Sequence, residues 1–191
     1  MVLKHDTIEI ITGCMFSGKT EELIRRVNSA KTKGLETTLF KPEIDKRYDT
    51  ERIVSHSGIS EESYVIEKSE DILKHLKNAK VIGIDEAQFF DKGIIDLCQQ
   101  LANLNYRIIL AGLDKDFLAN DFGPMSNLIE ISNNVTVLNA ICNVCGDKAF
   151  YTFKKNNSTT LIEIGEKNIY EARCLSCYQN GMKGEIKADF L

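Results

Sequence analysis

Gly13-Cys14-Met15-Phe16-Ser17-Gly18-Lys19-Thr20 fills every fixed position of the pattern G-x-x-x-x-G-K-[ST]. Few folds accept such a run. Its glycines let the backbone curl into a nest of N–H donors, and the nest works only where a strand delivers it and a helix leaves it. The flanks meet that demand. Thr7 to Thr12 is rich in β-branched residues and reads as a buried strand. From Thr20 onward Leu23, Ile24 and Val27 recur on one helical face, with Glu21, Glu22, Arg25 and Arg26 around them, and Gly34 stops the run. The chemistry that calls for this pattern is triphosphate binding. Lys19 reaches the β- and γ-phosphates, Thr20 offers a hydroxyl to Mg²⁺, and the helix aims its positive end at the anion. All eight residues, Gly13, Cys14, Met15, Phe16, Ser17, Gly18, Lys19 and Thr20, are therefore candidate nucleotide ligands.

Downstream, strands and helices alternate. Thr37 to Phe40 is a second strand that ends at Pro42, and the polar stretch from Pro42 to Ser63 is a long irregular loop. Ser69 is placed to N-cap a helix, with Glu70 and Asp71 in its first turn. Val81 to Ile84 reads as a central parallel strand. Ile94, Ile95, Leu97, Cys98 and Leu101 mark a helix, and Arg107 to Ala111 another strand. A Gly-rich acidic loop runs from Gly112 to Gly123, Pro124 opens a short helix, and Val135 to Leu138 is a last strand. The pattern implies an α/β layer architecture with a largely parallel sheet. After Ala140 cysteine pairs appear and helical periods vanish. The expected division is a P-loop α/β domain over 1–140 and a small metal-binding domain over 141–191.

Asp85-Glu86 ends the hydrophobic strand Val81–Ile84. An Asp there can hold the Mg²⁺ that Thr20 touches, and the adjacent Glu can accept a proton from an attacking hydroxyl. Asp-Glu-Ala-Gln, ending at Gln88, is close to the Asp-Glu-Ala-Asp box of helicases. Those motors need two such domains and a broad basic surface, whereas this chain of 191 residues has a net charge of −4. The same mild acidity gives no bulk attraction for nucleic acid or an anionic membrane. No apolar run approaches the length of a membrane span, and the N-terminus lacks the apolar core of a signal peptide, so the expected address is the cytoplasm.

Cys142-x-x-Cys145 and Cys174-x-x-Cys177 account for four of the six cysteines. In a reducing compartment they read first as two knuckles closing a structural Cys₄ zinc site, with buried thiols or a redox pair as the alternative. The polar loop Phe150–Arg173 strung between the pairs would then be fixed at its base by the metal. Cys98 reads as plain core, while Cys14, inside the P-loop, is a candidate accessible thiol whose reactivity its residue type does not establish.

Taken in order, these features resemble type II thymidine kinases, the zinc-containing family. The resemblance runs from Ile10 to Tyr178. It is carried by G-x-M-F-S-G-K-T (Gly13–Thr20), I-D-E-A-Q-F-F (Ile84–Phe90), G-L-D-x-D-F (Gly112–Phe117), F-G-P (Phe122–Pro124), C-x-x-C-G with Ala149 and Thr152, and Y-E-A-R-C-x-x-C (Tyr170–Cys177). The resemblance implies a P-loop NTPase (RecA-like) sheet and a zinc ribbon carrying a lasso loop. It implies transfer of the γ-phosphoryl of ATP to the 5′-hydroxyl of thymidine, with Mg²⁺. Glu86 matches the family's catalytic base. Asp85 and Gln88 fall in its nucleotide-contacting segment, and Asp45, Lys46 and Arg47 match a second phosphate-side segment in which Arg47 neutralises charge on the group in transfer. Met15, Phe89, Leu113, Phe117 and Phe122 would wall an apolar thymine pocket, with Thr152 beside the methyl group and Tyr170 at the sugar. The lasso residues Leu161, Ile162, Glu163, Ile164 and Gly165 would bond the base edge through their backbone. The resemblance also implies a homotetramer; members of the family are often inhibited by thymidine triphosphate, a property this sequence alone does not assign.

Two positions depart from the family pattern. Cys14 stands where proline is common, and Cys177 where many bacterial members carry His. Both changes are compatible with function, because position 14 contributes backbone and either residue at 177 binds zinc. Two other readings compete: a deoxynucleoside kinase of the same fold with a shifted base preference, such as deoxyuridine, and a P-loop ATPase using the zinc ribbon on nucleic acid. Against the last, the region from Cys142 to Cys177 interleaves Lys154, Lys155, Lys167 and Arg173 with Asp147, Glu163, Glu166 and Glu171, which is not a basic stripe.

Overall fold

The computed structural model describes residues 7–44, 52–54, 60–156 and 166–188. Its strands are β1 (Ile8–Thr12), β2 (Thr37–Pro42), β3 (Arg52–Val54), β4 (Ser60–Glu62), β5 (Tyr64–Ile66), β6 (Val81–Ile84), β7 (Arg107–Ala111), β8 (Asn134–Val137), β9 (Ala140–Ile141), β10 (Lys148–Ala149), β11 (Tyr151–Lys154) and β12 (Tyr170–Arg173). Its helices are α1 (Lys19–Thr32), α2 (Gly93–Asn103), α3 (Met125–Ile131), α4 (Glu166–Ile169) and α5 (Leu175–Ala188), with 3₁₀ turns at Ser69–His75 and Ala87–Phe89.

Six strands form one parallel sheet in the order β5-β2-β6-β7-β1-β8. The period of two along each strand sends alternate side chains to opposite faces. Ile8, Ile10, Ile82, Ile84, Ile108 and Leu110 meet α2 and α3 on one side, through Ile94, Leu97, Cys98, Leu101, Met125 and Leu128. Ile11, Leu39, Val81, Ile109 and Ala111 meet Leu23, Ile24, Val27 and Ala30 of α1 on the other. Both faces are covered, which is why the central strands are nearly unbroken apolar runs. Gly83 marks the tightest approach, since a Cβ there would stand 2.4 Å from Leu39 Cδ2 and 3.0 Å from Val27 Cγ2. Glu9 of β1 is a charged side chain buried in the sheet, as is Lys41 of β2. Glu9 is paired with Arg26 and Arg107, and Arg26 also donates to Thr136 Oγ1.

This order fixes where the chemistry can sit. β6, β7 and β1 are neighbours, and their C-terminal ends release Asp85-Glu86, the loop from Gly112, and the P-loop onto the same edge. In parallel sheets that edge is the ligand side.

Past β8 the chain makes two short antiparallel hairpins, β9–β10 and β11–β12, with α5 packed on the second. Asn143 joins them: its N–H donates to Ala172 O at 2.9 Å, and its Oδ1 accepts from Ala172 N at 3.0 Å.

Several expectations need correction. Tyr64–Ile66, just beyond the long polar stretch, adds a sheet strand, and that stretch itself contains the β3–β4 hairpin. Such short strands carry too few residues for a period to appear. Ser69 does not cap its helix. Lys68 occupies that position, the helix is 3₁₀, and the Ser69 hydroxyl donates to Asp91 Oδ1. Helical structure does not end at Ala140, because α5 runs 14 residues through the cysteine-rich tail.

Candidate nucleotide and metal site

The P-loop follows β1 through three left-handed residues, Gly13 (φ 140°), Phe16 (φ 65°) and Gly18 (φ 85°). Gly13 is required twice over, since a Cβ there would lie 2.2 Å from Leu138 O. Lys19 Nζ donates to Cys14 O at 2.8 Å, which holds the cation over the loop's own backbone. Ser17 Oγ is buried inside the loop with no hydrogen-bond partner among the described residues. An orphaned hydroxyl beside a nest of N–H groups fits an oxyanion ligand. Thr20 Oγ1 donates to Asp85 Oδ2 at 3.0 Å, so the P-loop threonine and the carboxylate at the end of β6 already share one polar site.

Glu86 is the next residue and sits in the left-handed region (φ 51°, ψ 43°), a conformation that costs a non-glycine residue of order 1 kcal/mol or more. The surroundings hold it there. Gln88, almost fully buried, donates from Nε2 to Glu86 Oε2 and accepts from Leu113 N at 3.0 Å through Oε1. The amide is thus used at both ends and aims the carboxylate. It is crowded from above as well: a Cβ on Gly112 would meet Gln88 Oε1 at 2.8 Å, and one on Gly123 would meet Gln88 O at 2.0 Å. The two glycines of the 112–123 loop let that loop close onto the Asp-Glu-Ala-Gln turn. Sequence reasoning placed Gln88 by motif without finding this aiming contact, which requires the loop to fold back.

Met15, Phe89, Leu113, Phe117 and Phe122 are all half-buried. Core packing would have covered them, as it covers Ile10 and Leu110 completely. Phe89 and Phe122 meet edge to face at 5.5 Å. Thr12 Oγ1 and Asp114 bond reciprocally, 2.8 Å to Oδ1 and 3.2 Å from Asp114 N, tying this loop to the foot of the P-loop. Thr152 is buried, and its Oγ1 accepts the Met15 N–H at 3.0 Å. Tyr170 is also buried, with the Lys154 ammonium 5.9 Å from its ring. Asp45, Lys46 and Arg47, and the lasso segment Leu161, Ile162, Glu163, Ile164 and Gly165, lie outside the described residues.

Cys142, Cys145, Cys174 and Cys177 bring their sulfurs within 4.8 Å of one another, with Cys145 and Cys174 at 3.6 Å. Four thiolates around zinc at about 2.3 Å would stand about 3.8 Å apart, so the cluster fits a tetrahedral ion. Burial alone would raise the Cys142 thiol, but backbone hydrogen bonds from Cys174, Cys145 and Val144 bring it down to about 6. Backbone donors aimed at a sulfur are the support a thiolate ligand needs. Gly146, at φ 82°, closes the first knuckle, with its N–H donating to Cys142 O.

The remaining thiols differ from expectation in one case. Cys98 is core, and burial pushes it up to about 12. Cys14 is not accessible: it is only 3% exposed, its pKa is raised by burial, and its Sγ donates to Ala149 O at 3.2 Å. It packs with Ala140, Cys142, Ala149 and Ala172, directly beside the metal cluster.

The thymidine kinase family model matches residues 6–178. A thymidine kinase of Bacteroides thetaiotaomicron is 48% identical over 175 residues, covering 92% of this chain and 88% of that protein. Thymidine kinases of Bacteroides fragilis, 46% identical over 94% of this chain and 90% of theirs, and of Porphyromonas gingivalis, 43% identical over 93% and 87%, are similar to it along the same span. The chain belongs to the thymidine kinase family.

Proposed function

We propose that this protein transfers the γ-phosphoryl group of ATP to the 5′-hydroxyl of thymidine, giving thymidine monophosphate and ADP. The observation that carries the reading is the shared edge of the sheet. There a P-loop, an aimed carboxylate and a set of half-buried apolar side chains lie together. The P-loop would cradle the phosphates, with Lys19 on the β- and γ-oxygens and Ser17 Oγ turned to the same ligand. Thr20 and Asp85 would hold Mg²⁺, which neutralises charge on the triphosphate when bound. Asp45, Lys46 and Arg47 would add positive charge from the second phosphate-side segment.

Glu86 is the proposed base. Its carboxylate takes the proton of the 5′-hydroxyl while that oxygen attacks the γ-phosphorus, and the Gln88 amide keeps it in place during the transfer. Met15, Phe89, Leu113, Phe117 and Phe122 would enclose the base, Thr152 and Tyr170 would complete the pocket, and Leu161–Gly165 would close it through backbone groups. Half-burial of the five apolar residues supports this, because a wall must be exposed on one side. Zinc is the proposed occupant of the Cys142, Cys145, Cys174 and Cys177 cluster, as a structural ion with no open position. The division proposed is a P-loop nucleotide-binding domain over residues 1–140 and a zinc-binding and lasso domain over 141–191. A homotetramer in the cytoplasm completes the proposal, the assembly resting on the family resemblance.

The test is to incubate the protein with labelled ATP, Mg²⁺ and each deoxynucleoside in turn. Thymidine should be labelled rapidly, deoxyuridine more slowly and purine nucleosides not at all. ATP hydrolysis that ignores nucleosides and responds to DNA would sink the proposal.

A further inference from the structure

Tyr178 follows Cys177 directly on α5 and is the last residue of the stretch that carries the family resemblance. Its ring is buried, stacked on Tyr151 at 4.9 Å and edge-on to Phe153 at 6.3 Å. Its hydroxyl leaves the metal-binding half of the chain and donates to Phe117 O at 2.9 Å. A second group from the same half reaches the same residue: the ammonium of Lys154, itself buried, stands 4.8 Å from the Phe117 ring. Phe117 is thus held at its carbonyl by α5 and at its ring by β11.

The segment around Phe117 explains why such a brace has work to do. It carries its own turn, with Asp116 Oδ1 accepting from Leu118 N and Asn120 N, both at 2.9 Å, and Ala119 in the left-handed region. That turn shapes the loop tip but does not attach it to the sheet. The Phe117 carbonyl points away from the turn's own donors and toward α5.

We infer that Tyr178 is a positioning residue for the nucleoside pocket: its hydroxyl, anchored one residue beyond a metal ligand, sets where Phe117 stands against the base. The inference rests on the reading of Phe117 as a pocket wall. Metal binding then reaches the acceptor through a hydrogen bond and an ammonium–ring contact, separately from any closure of the lasso. Phe117 belongs in sequence to the α/β half, yet it is braced from the cysteine half.

The experiment uses zinc-loaded full-length protein. Tyr178→Phe keeps the ring and its stacking and removes one O–H. One lost hydrogen bond corresponds to about a three- to tenfold rise in KM for thymidine. kcat and KM for ATP should stay within about twofold, because the change touches neither the donor nor the base. Metal analysis should still find one zinc per chain, and amide exchange should quicken within residues 114–122. Phe117→Ala is the arm that checks the pocket reading and should raise KM for thymidine by more than Tyr178→Phe does. If Phe117→Ala raises KM while Tyr178→Phe leaves it at the parent value, Phe117 is a wall and the brace is overturned, whatever exchange shows. If Phe117→Ala leaves KM unmoved, the pocket reading fails and takes the inference with it. Loss of zinc in Tyr178→Phe would make the tyrosine a support of the metal site and overturn its role at the base.

Discussion

Around the parallel sheet the chain buries Ile8, Ile10, Ile11, Leu23, Phe40, Ile82, Ile84, Ile94, Ile108, Leu110 and many more. Around the four cysteines it buries Cys14, Ala140, Cys142, Ala149 and Ala172, and one of those five belongs to the P-loop. A fully buried Ile, Leu or Phe contributes about 1.5–3 kcal/mol, and an alanine a fraction of that. The sheet half can therefore stand on its apolar core. Among its described residues the cysteine half adds Tyr170 and a second cluster, Tyr151, Phe153, Tyr178 and Arg173, where the guanidinium lies 3.3 Å over the Phe153 ring. Small modules of that kind are folded by their metal. The difference predicts separate vulnerabilities for the two halves.

The largest effect should come from removing the metal. Stripping zinc with a chelator should unfold the hairpins and α5 and abolish thymidine phosphorylation. It should leave the sheet half folded and ATP affinity lowered by about a hundredfold or less. That limit comes from the two hydrogen bonds that cross to the P-loop, Cys14 Sγ to Ala149 O and Met15 N to Thr152 Oγ1, at about 0.5–1.5 kcal/mol each. Circular dichroism, thermal melting and nucleotide titration on the stripped protein check this together. A single cooperative melt that vanishes with zinc would erase the distinction between the halves.

Glu86→Gln sharpens the comparison from the other side. It removes the proposed base and keeps the shape, so kcat should fall by about 10²–10⁴ with little change in the binding of either substrate. Turnover at the parent rate would remove Glu86 as the base. Gln88→Ala should follow at smaller scale, because it frees the Glu86 carboxylate and strands the Leu113 N–H. A loss of about tenfold to a hundredfold in kcat is expected, with ATP affinity held, and steady-state kinetics separate the two.

Matched truncations test the core argument directly. Ile10→Ala, in the middle of the sheet and fully buried, should cost about 2–5 kcal/mol by denaturant unfolding. Ile141→Ala, on β9 and 67% exposed, should stay within about 0.5 kcal/mol. Equal costs would mean that burial does not set what these side chains contribute, which would undo the comparison of the two cores.

The same division decided what could be read from sequence. β1, α1, β6, α2 and β7 were legible because burial on one or both faces imposes long apolar periods, and the P-loop because its chemistry fixes residue types. The four cysteines were legible by ligand spacing. α5 was not, since Tyr178, Gly181 and the residues around them face a hairpin and not a sheet, which leaves no broad apolar stripe. Gly181 takes part in that contact, as a Cβ there would meet Arg173 Nη1 at 2.0 Å and Phe153 Cε2 at 2.6 Å. Three hydrogen bonds around the candidate site, Gln88 to Glu86, Met15 to Thr152 and Tyr178 to Phe117, join residues that no spacing rule pairs. Only the first joins neighbours in the sequence.

The smallest effect lies on the surface of α1 and depends on pH. Glu22 accepts from Arg25 at 2.6 Å and from Arg26 at 2.8 Å. The Arg25 hydrogen bond leads in holding its carboxyl at about 2, below the usual 4.5. A depressed carboxyl stabilises the fold fully above the ordinary value and loses that contribution as pH falls from about 4.5 through about 2. Much of the pair is open to solvent, so screening limits it to under about 1 kcal/mol. Glu22→Gln should therefore lower the melting temperature slightly at neutral pH, and parent and variant should converge by about pH 2. Added salt should shrink the gap at every pH. In the cysteine half acid acts by another route, because protons compete with the metal for sulfur. An acid titration of the parent protein should accordingly release zinc before the Glu22 contribution fades. Metal release and α1 destabilisation moving together in one step would show that the two halves do not lose stability independently.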